Sequence, residues 1–180
     1  MNAMLSKLLP LLLLVSCATT SAPPRELPDG LDPNHAWLQQ LVGTWHAVAP
    51  DASDGGAEID IEKTVRRIGY YWIVLDCTVP FHMGAVTSQQ TLGYVTKSNE
   101  FVGTWVDSSA DYLWHYRGRL DSERRLLTFH ATGPGFDGSS TAEYRDEIEL
   151  VGPDEHVTRN FIRADDGSWS PLGEVTFRRR

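Results

Sequence analysis

The stretch Ala142-Glu143-Tyr144-Arg145-Asp146-Glu147-Ile148-Glu149-Leu150 decides the fold. A strand sends successive side chains to opposite faces, so the charged odd positions Glu143, Arg145, Glu147 and Glu149 go to water. Ala142, Tyr144, Asp146, Ile148 and Leu150 then face inward. The same period of two holds from Val42 to the C-terminus, in runs rich in Val, Ile, Thr, Tyr, Phe and Trp that recur about every ten residues. Turn chemistry divides them, for example at Ser53-Asp54-Gly55-Gly56, Thr96-Lys97-Ser98-Asn99, Gly152-Pro153-Asp154 and Asp165-Asp166-Gly167. About ten strands with no crossover helix predict one all-β domain over 35–180, a single antiparallel barrel. A short helix precedes it. His35 to Leu41 follows Asn34 as N-cap and places Trp37, Leu38 and Leu41 on one side.

The chain has 180 residues, 41% hydrophobic and 22% charged, which suits one compact domain with its own core. Sixteen Lys and Arg against twenty-four Asp and Glu leave a formal charge of −8. That balance offers no general attraction to nucleic acid or anionic lipid.

The N-terminus reads as an address. Residues 1–16 carry Lys7, an apolar run over 8–15 too short to span a bilayer, and then small residues, the pattern of a secretory signal peptide. Leu14-Val15-Ser16-Cys17 resembles the bacterial lipobox, in which cleavage precedes a cysteine that becomes acylated. Cys17 is the expected lipidation site, and acyl chains would hold the product to a membrane at about 0.8 kcal/mol per buried methylene. Ala18 follows where an inner-membrane retention signal would be acidic. The expected location is therefore the bacterial cell envelope, on the outer membrane facing the periplasm. Residues 17–34, with prolines at 23, 24, 28 and 33, read as an extended tether. With Cys17 acylated, Cys77 has no disulfide partner, and its place on the apolar face Tyr71/Ile73/Leu75/Cys77/Val79 suits inert packing.

Charges on inward faces mark candidate binding residues. Asp146 is one; Lys63 and Arg67 share the face of Ile59, Ile61 and Val65. Burying an unpaired charge costs several kcal/mol, so each must pair, reach solvent at a barrel end, or meet a ligand.

A helix followed by Gly43-Thr44-Trp45 resembles the lipocalin entry motif, in which the helix closes one barrel end and the tryptophan packs beneath an arginine of the last strand. The resemblance implies a barrel-end pair of Trp45 and Arg179. Tyr71-Trp72-Ile73-Val74-Leu75-Asp76, Gly93-Tyr94, Phe101-Val102-Gly103-Thr104-Trp105-Val106-Asp107-Ser108, Tyr144-Arg145 and Glu174 to Arg179 are similar to the bacterial domain of unknown function 1579. That family implies a lipocalin-like (calycin-type) β-barrel and no established reaction.

No Gly-x-Ser-x-Gly elbow, His-Glu-x-x-His, Cys-x-x-Cys or phosphate-binding loop occurs, so no catalytic residue and no metal site is assigned. No cofactor is expected, haem through His115 or His130 being the alternative. The leading expectation is a lipid-anchored barrel that binds or carries a small apolar or amphipathic molecule. Trp72, Trp105, Tyr144 and Asp146 would line its interior, and Lys63 or Arg67 would meet an anionic head group near the mouth. Two alternatives stand beside it: an isomerase- or lyase-like enzyme using Asp146 as an inward acid, and a solid-cored interaction module of the envelope.

Overall fold

The computed structural model describes residues 27–51, 54–82 and 84–180. The expected signal segment, Cys17 and the part of the expected tether up to residue 26 lie outside them. Helix α1 (Pro33–Gln39) leads into ten strands: β1 (Gly43–Asp51), β2 (Ala57–Ile68), β3 (Trp72–Phe81), β4 (Gly84–Val95), β5 (Glu100–Asp107), β6 (Trp114–Leu120), β7 (Leu126–Pro134), β8 (Thr141–Gly152), β9 (Glu155–Arg163) and β10 (Trp169–Arg179). Each strand pairs antiparallel with the next. The barrel closes where β10 returns to β1, with Trp45 opposite Arg179. Closure gives every strand two neighbours, the β1–β10 seam pairing at Trp45–Arg179 and His46–Arg178.

The helix begins earlier than its sequence suggests. Asp32, not Asn34, is the N-cap, its Oδ1 accepting from the Asn34 backbone N–H at 2.8 Å. Pro33 fits there because the first helical residue needs no donor. Asn34 is thereby freed to accept from Arg124 Nη1 at 3.1 Å, and the Pro33 carbonyl accepts from Arg124 Nη2 at 2.7 Å. Arg124 turns the corner between β6 and β7 at φ 58°, and its own carbonyl accepts from Trp37 Nε1 at 2.9 Å.

Arg179 makes the second clamp. It donates to the carbonyls of Val42 (2.7 Å) and Gln40 (2.8 Å), and to Pro153 O and Asp154 Oδ1, while its guanidinium carbon lies 4.1 Å over the Trp45 ring. Gly43 makes this reach available. It sits at φ 139°, and a Cβ there would collide with Arg179 Nη1. The Gly43-Thr44-Trp45 spacing is thus a packing device.

Beneath the helix the barrel is solid. Leu38, Trp45, Ile73, Leu92, Phe101 and Leu127 are almost fully buried. The opposite end carries the β1–β2, β3–β4, β5–β6, β7–β8 and β9–β10 connections and, among the described residues, no helix. The core sits at one end, leaving the other hollow. No helix among the described residues is long and apolar enough to cross a membrane.

Candidate functional site

The hollow half is a cavity of about 670 Å³. Strand alternation decides its walls. Leu75 and Cys77 from β3, Trp105 from β5, Trp114 and Tyr116 from β6, Phe129 from β7, and Tyr144, Asp146 and Ile148 from β8 all line it, with Lys63 and Phe177 toward its floor. Phe136, at the tip of the β7–β8 loop, stands at the mouth with 79% of its surface exposed.

Lys63 is 6% exposed, and no carboxylate among the described residues forms an ion pair with it. Its Nζ lies 2.8 Å from His156 Nε2 and 3.5 Å above the Phe177 ring. His156 in turn stacks on Phe177 and meets the edge of Trp45 at 4.3 Å, which puts Lys63 on top of the plug. Burial lowers the Lys63 ammonium from 10.5 to about 7. The His156 imidazole, desolvated and facing Lys63 and Arg179, is held down at about 2 and is neutral. Cys77 sits opposite Lys63 in the β2–β3 register, and burial raises its thiol.

Asp146 occupies another part of the wall. Tyr116 donates its hydroxyl to Oδ2 at 2.6 Å, and Asn160 Nδ2 donates to Oδ1 at 2.8 Å. Desolvation outweighs both bonds and raises the carboxyl above its ordinary value. Burial and the facing carboxylate raise the Tyr116 hydroxyl as well. No arginine reaches Asp146 among the described hydrogen bonds and ion pairs; its partners are neutral donors on a cavity wall.

Four of the sequence candidates meet in this cavity: Lys63, Trp105, Tyr144 and Asp146. Two do not. Trp72 lies on the outer face of β3, because Ile73 and Leu75 beside it point in; its ring covers Gly93 of β4, where a Cβ would overlap it. Arg67 shares the inward face of β2 with Lys63 but lies beyond Val65, toward the helix end, and is no part of the wall. Lys63 itself is at the floor and not near the mouth. His115 and His130, the residues for haem, alternate with inward Tyr116, Phe129 and Ala131 and therefore face out. Among the described residues no group of three or more His, Cys, Asp or Glu is placed to hold a metal ion.

Sequence reading missed Trp114, Tyr116, His156 and Asn160. Trp114-His115-Tyr116 held the signal for the first two, since alternation places both aromatics on one face. His156-x-Thr158-x-Asn160 is inward yet polar, so it carries no apolar alternation to betray it. The mouth loops are ordered by their own aspartates. Asp107 Oδ1 accepts from the Ser109 and Ala110 backbone N–H groups, and Asp137 Oδ1 from those of Ser139 and Ser140, which hold the Asp137 carboxyl at about 2.

β6 and β7 pair only between Arg117–Leu120 and Leu127–His130. Toward the mouth they part. Trp114 fills the gap, its ring lying over Gly133 where a Cβ would overlap it, edge-on to Tyr144 at 4.7 Å.

A family model described as a protein of unknown function (DUF1579) matches residues 31–179. No curated protein matches. Among solved structures, a redesigned beta barrel, b11L5F_LGL, is 12% identical over 79% of this chain and 94% of its own, at a TM-score of 0.40. EF1p2_mFAP2b bound to DFHBI is 13% identical over 82% of this chain and 99% of its own, at a TM-score of 0.42.

Proposed function

The chain belongs to the DUF1579 family, whose description assigns no reaction, and from that premise we propose that it binds a small apolar or amphipathic molecule inside the barrel. The observation that carries this reading is the cavity itself: about 670 Å³, walled by Trp105, Trp114, Phe129 and Phe177, and holding buried Lys63 and half-buried Asp146, neither of which has a charged partner among the described residues. Aromatic walls with a few fixed polar groups suit a ligand with an apolar body and one polar end. A lipocalin-like barrel closed by a helix is the matching architecture. Titration of the full chain with 1-anilinonaphthalene-8-sulfonate and with unbranched fatty acids, followed by tryptophan fluorescence, tests the reading. Trp105 and Trp114 should report saturable, one-to-one binding. A flat response to every probe, with an apo species alone in native mass spectrometry of protein taken from its own envelope, would overturn it.

The envelope address completes the proposal. Leu14-Val15-Ser16-Cys17 supports acylation at Cys17 and attachment to the outer membrane on its periplasmic side. Metabolic labelling with palmitate should mark the wild-type chain and not Cys17→Ser.

A second reading rests on Asp146. A carboxyl whose proton affinity burial raises, with Tyr116 and Asn160 fixing its oxygens, is placed to exchange a proton with a bound molecule. Chromatography of co-purified small molecules before and after incubation with fresh protein separates carriage from conversion. An Asp146→Asn variant that still binds but no longer converts would favour the enzyme.

A further inference from the structure

We propose that Lys63 is a reactive amine that condenses with an aldehyde or ketone held in the cavity, giving an imine. The inference rests on the binding reading and names the chemical class of the ligand's polar end.

The geometry singles out the free amine. A buried ammonium needs three acceptors and, where possible, a counter-charge. Among the described residues Lys63 has two such partners: His156 Nε2 at 2.8 Å and the face of Phe177 at 3.5 Å. Of the carboxylates that line the same cavity, Asp146 is engaged by Tyr116 and Asn160, Asp107 by the N–H groups of its own loop, and Glu147 by Arg145 at 3.2 Å. With the His156 proton on Nδ1, a neutral amine donates one N–H to Nε2 and the other to the Phe177 face and keeps its lone pair. Burial acts in the same direction, bringing the group to about 7, where a large share is unprotonated at neutral pH. Lys63 is also on the cavity wall, so a molecule in the cavity can reach it.

The step is closed within these groups. The Nζ lone pair attacks the carbonyl carbon and forms the C–N bond; the carbonyl oxygen takes up a proton to give a carbinolamine. Loss of its hydroxyl with the second amine proton releases one water and leaves a neutral C=N bond. The neutral product suits a floor of Trp45, His156 and Phe177 better than the ammonium did, because no buried charge remains.

The chain contains its own reference. Its lysines are Lys7, Lys63 and Lys97, and Lys97 is exposed in the β4–β5 turn. Full-length protein would be incubated at pH 7 with 2-naphthaldehyde, reduced with cyanoborohydride and mapped by peptide mass spectrometry. Trp105 and Trp114 fluorescence would be followed in parallel. Labelling of Lys63 should exceed that of Lys97 at least about tenfold. In Lys63→Met the Lys97 signal should remain while the dominant adduct disappears. The wild-type ratio stands even if that variant folds poorly. Quenching by naphthaldehyde with Lys63 labelled no more than Lys97 would overturn the imine and leave the cavity reading intact. Absence of both quenching and a Lys63 adduct would overturn the two together.

Discussion

Lys63 makes the fold sensitive to pH in a direction opposite to that of a salt-bridged lysine. Its neighbours are Trp45 on β1, Cys77 on β3, His156 on β9 and Phe177 on β10, none of them an anion at neutral pH. The folded state holds its ammonium to about 7 while the unfolded chain keeps it near 10.5. Below pH 7 both states bind the proton and the folded state bears the full cost of burying it. Between 7 and 10.5 only the unfolded chain still binds it, so stability rises with pH, by on the order of 5 kcal/mol across the window. Lys63→Met should therefore raise the urea midpoint at pH 6 and flatten this rise between pH 7 and 10, read in urea titrations at several pH values. Asp146 works in the other window. Its raised carboxyl favours the folded state at low pH, and this advantage is lost as pH climbs from the unfolded value through the folded one. Asp146→Asn should lessen the loss of stability on going from pH 4 to 7, in the same titrations. Both residues were legible in the sequence as charges on apolar faces. Their partners were not, because Tyr116, His156 and Asn160 come from strands 30, 93 and 14 residues away.

Element by element, the closed end depends on two arginines that tie α1 to the strand corners. Arg179 serves Gln40, Val42, Pro153 and Asp154 with one planar fork, which a lysine cannot reproduce. Arg179→Lys should lower stability by about 2 kcal/mol, measured by chemical denaturation, with the charge unchanged. Gly43→Ala should cost at least as much, roughly 2–3 kcal/mol, since it combines a left-handed φ with a collision against Arg179 Nη1. At the open end, Gly133→Val would push Trp114 off its seat between β6 and β7 and should shift tryptophan emission while changing the unfolding free energy by no more than about 2 kcal/mol. Alternation made the strands readable. Ala142 to Leu150 lies along β8 with Tyr144 and Ile148 buried, but the charged positions do not all reach water: Arg145 lies over the Phe161 and Trp169 rings and pairs with Glu147, and both are half-buried. The helix start was misread by two residues because Asp32 and Asn34 are both good caps, and Arg124, far along the chain, draws Asn34 into another bond.

For the whole molecule, a plug at one end and a hollow at the other predict graded stability. Backbone amides of Trp45, Ile73, Leu92 and Phe101 should exchange with solvent only on global unfolding, while those flanking the mouth, such as Trp105 and Trp114, exchange earlier and gain protection when a ligand fills the cavity. Hydrogen–deuterium exchange with and without the fluorescence probes measures both. Period-two patterning, turn residues and one helical segment were enough to determine a single all-β barrel, since each of these signals is local and repeats along the chain. The inward placement of Lys63 and Asp146 followed from the same parity. Parity also sends Trp72 outward, with Ile73 and Leu75 beside it on the inner face. Depth along the barrel axis was decided only by the tertiary structure: it set Lys63 on the plug, Arg67 beyond the wall and His156 beneath the cavity. Strand alternation reports which face a residue takes, whereas its height and its neighbours depend on the register between strands, which is a property of pairs of segments.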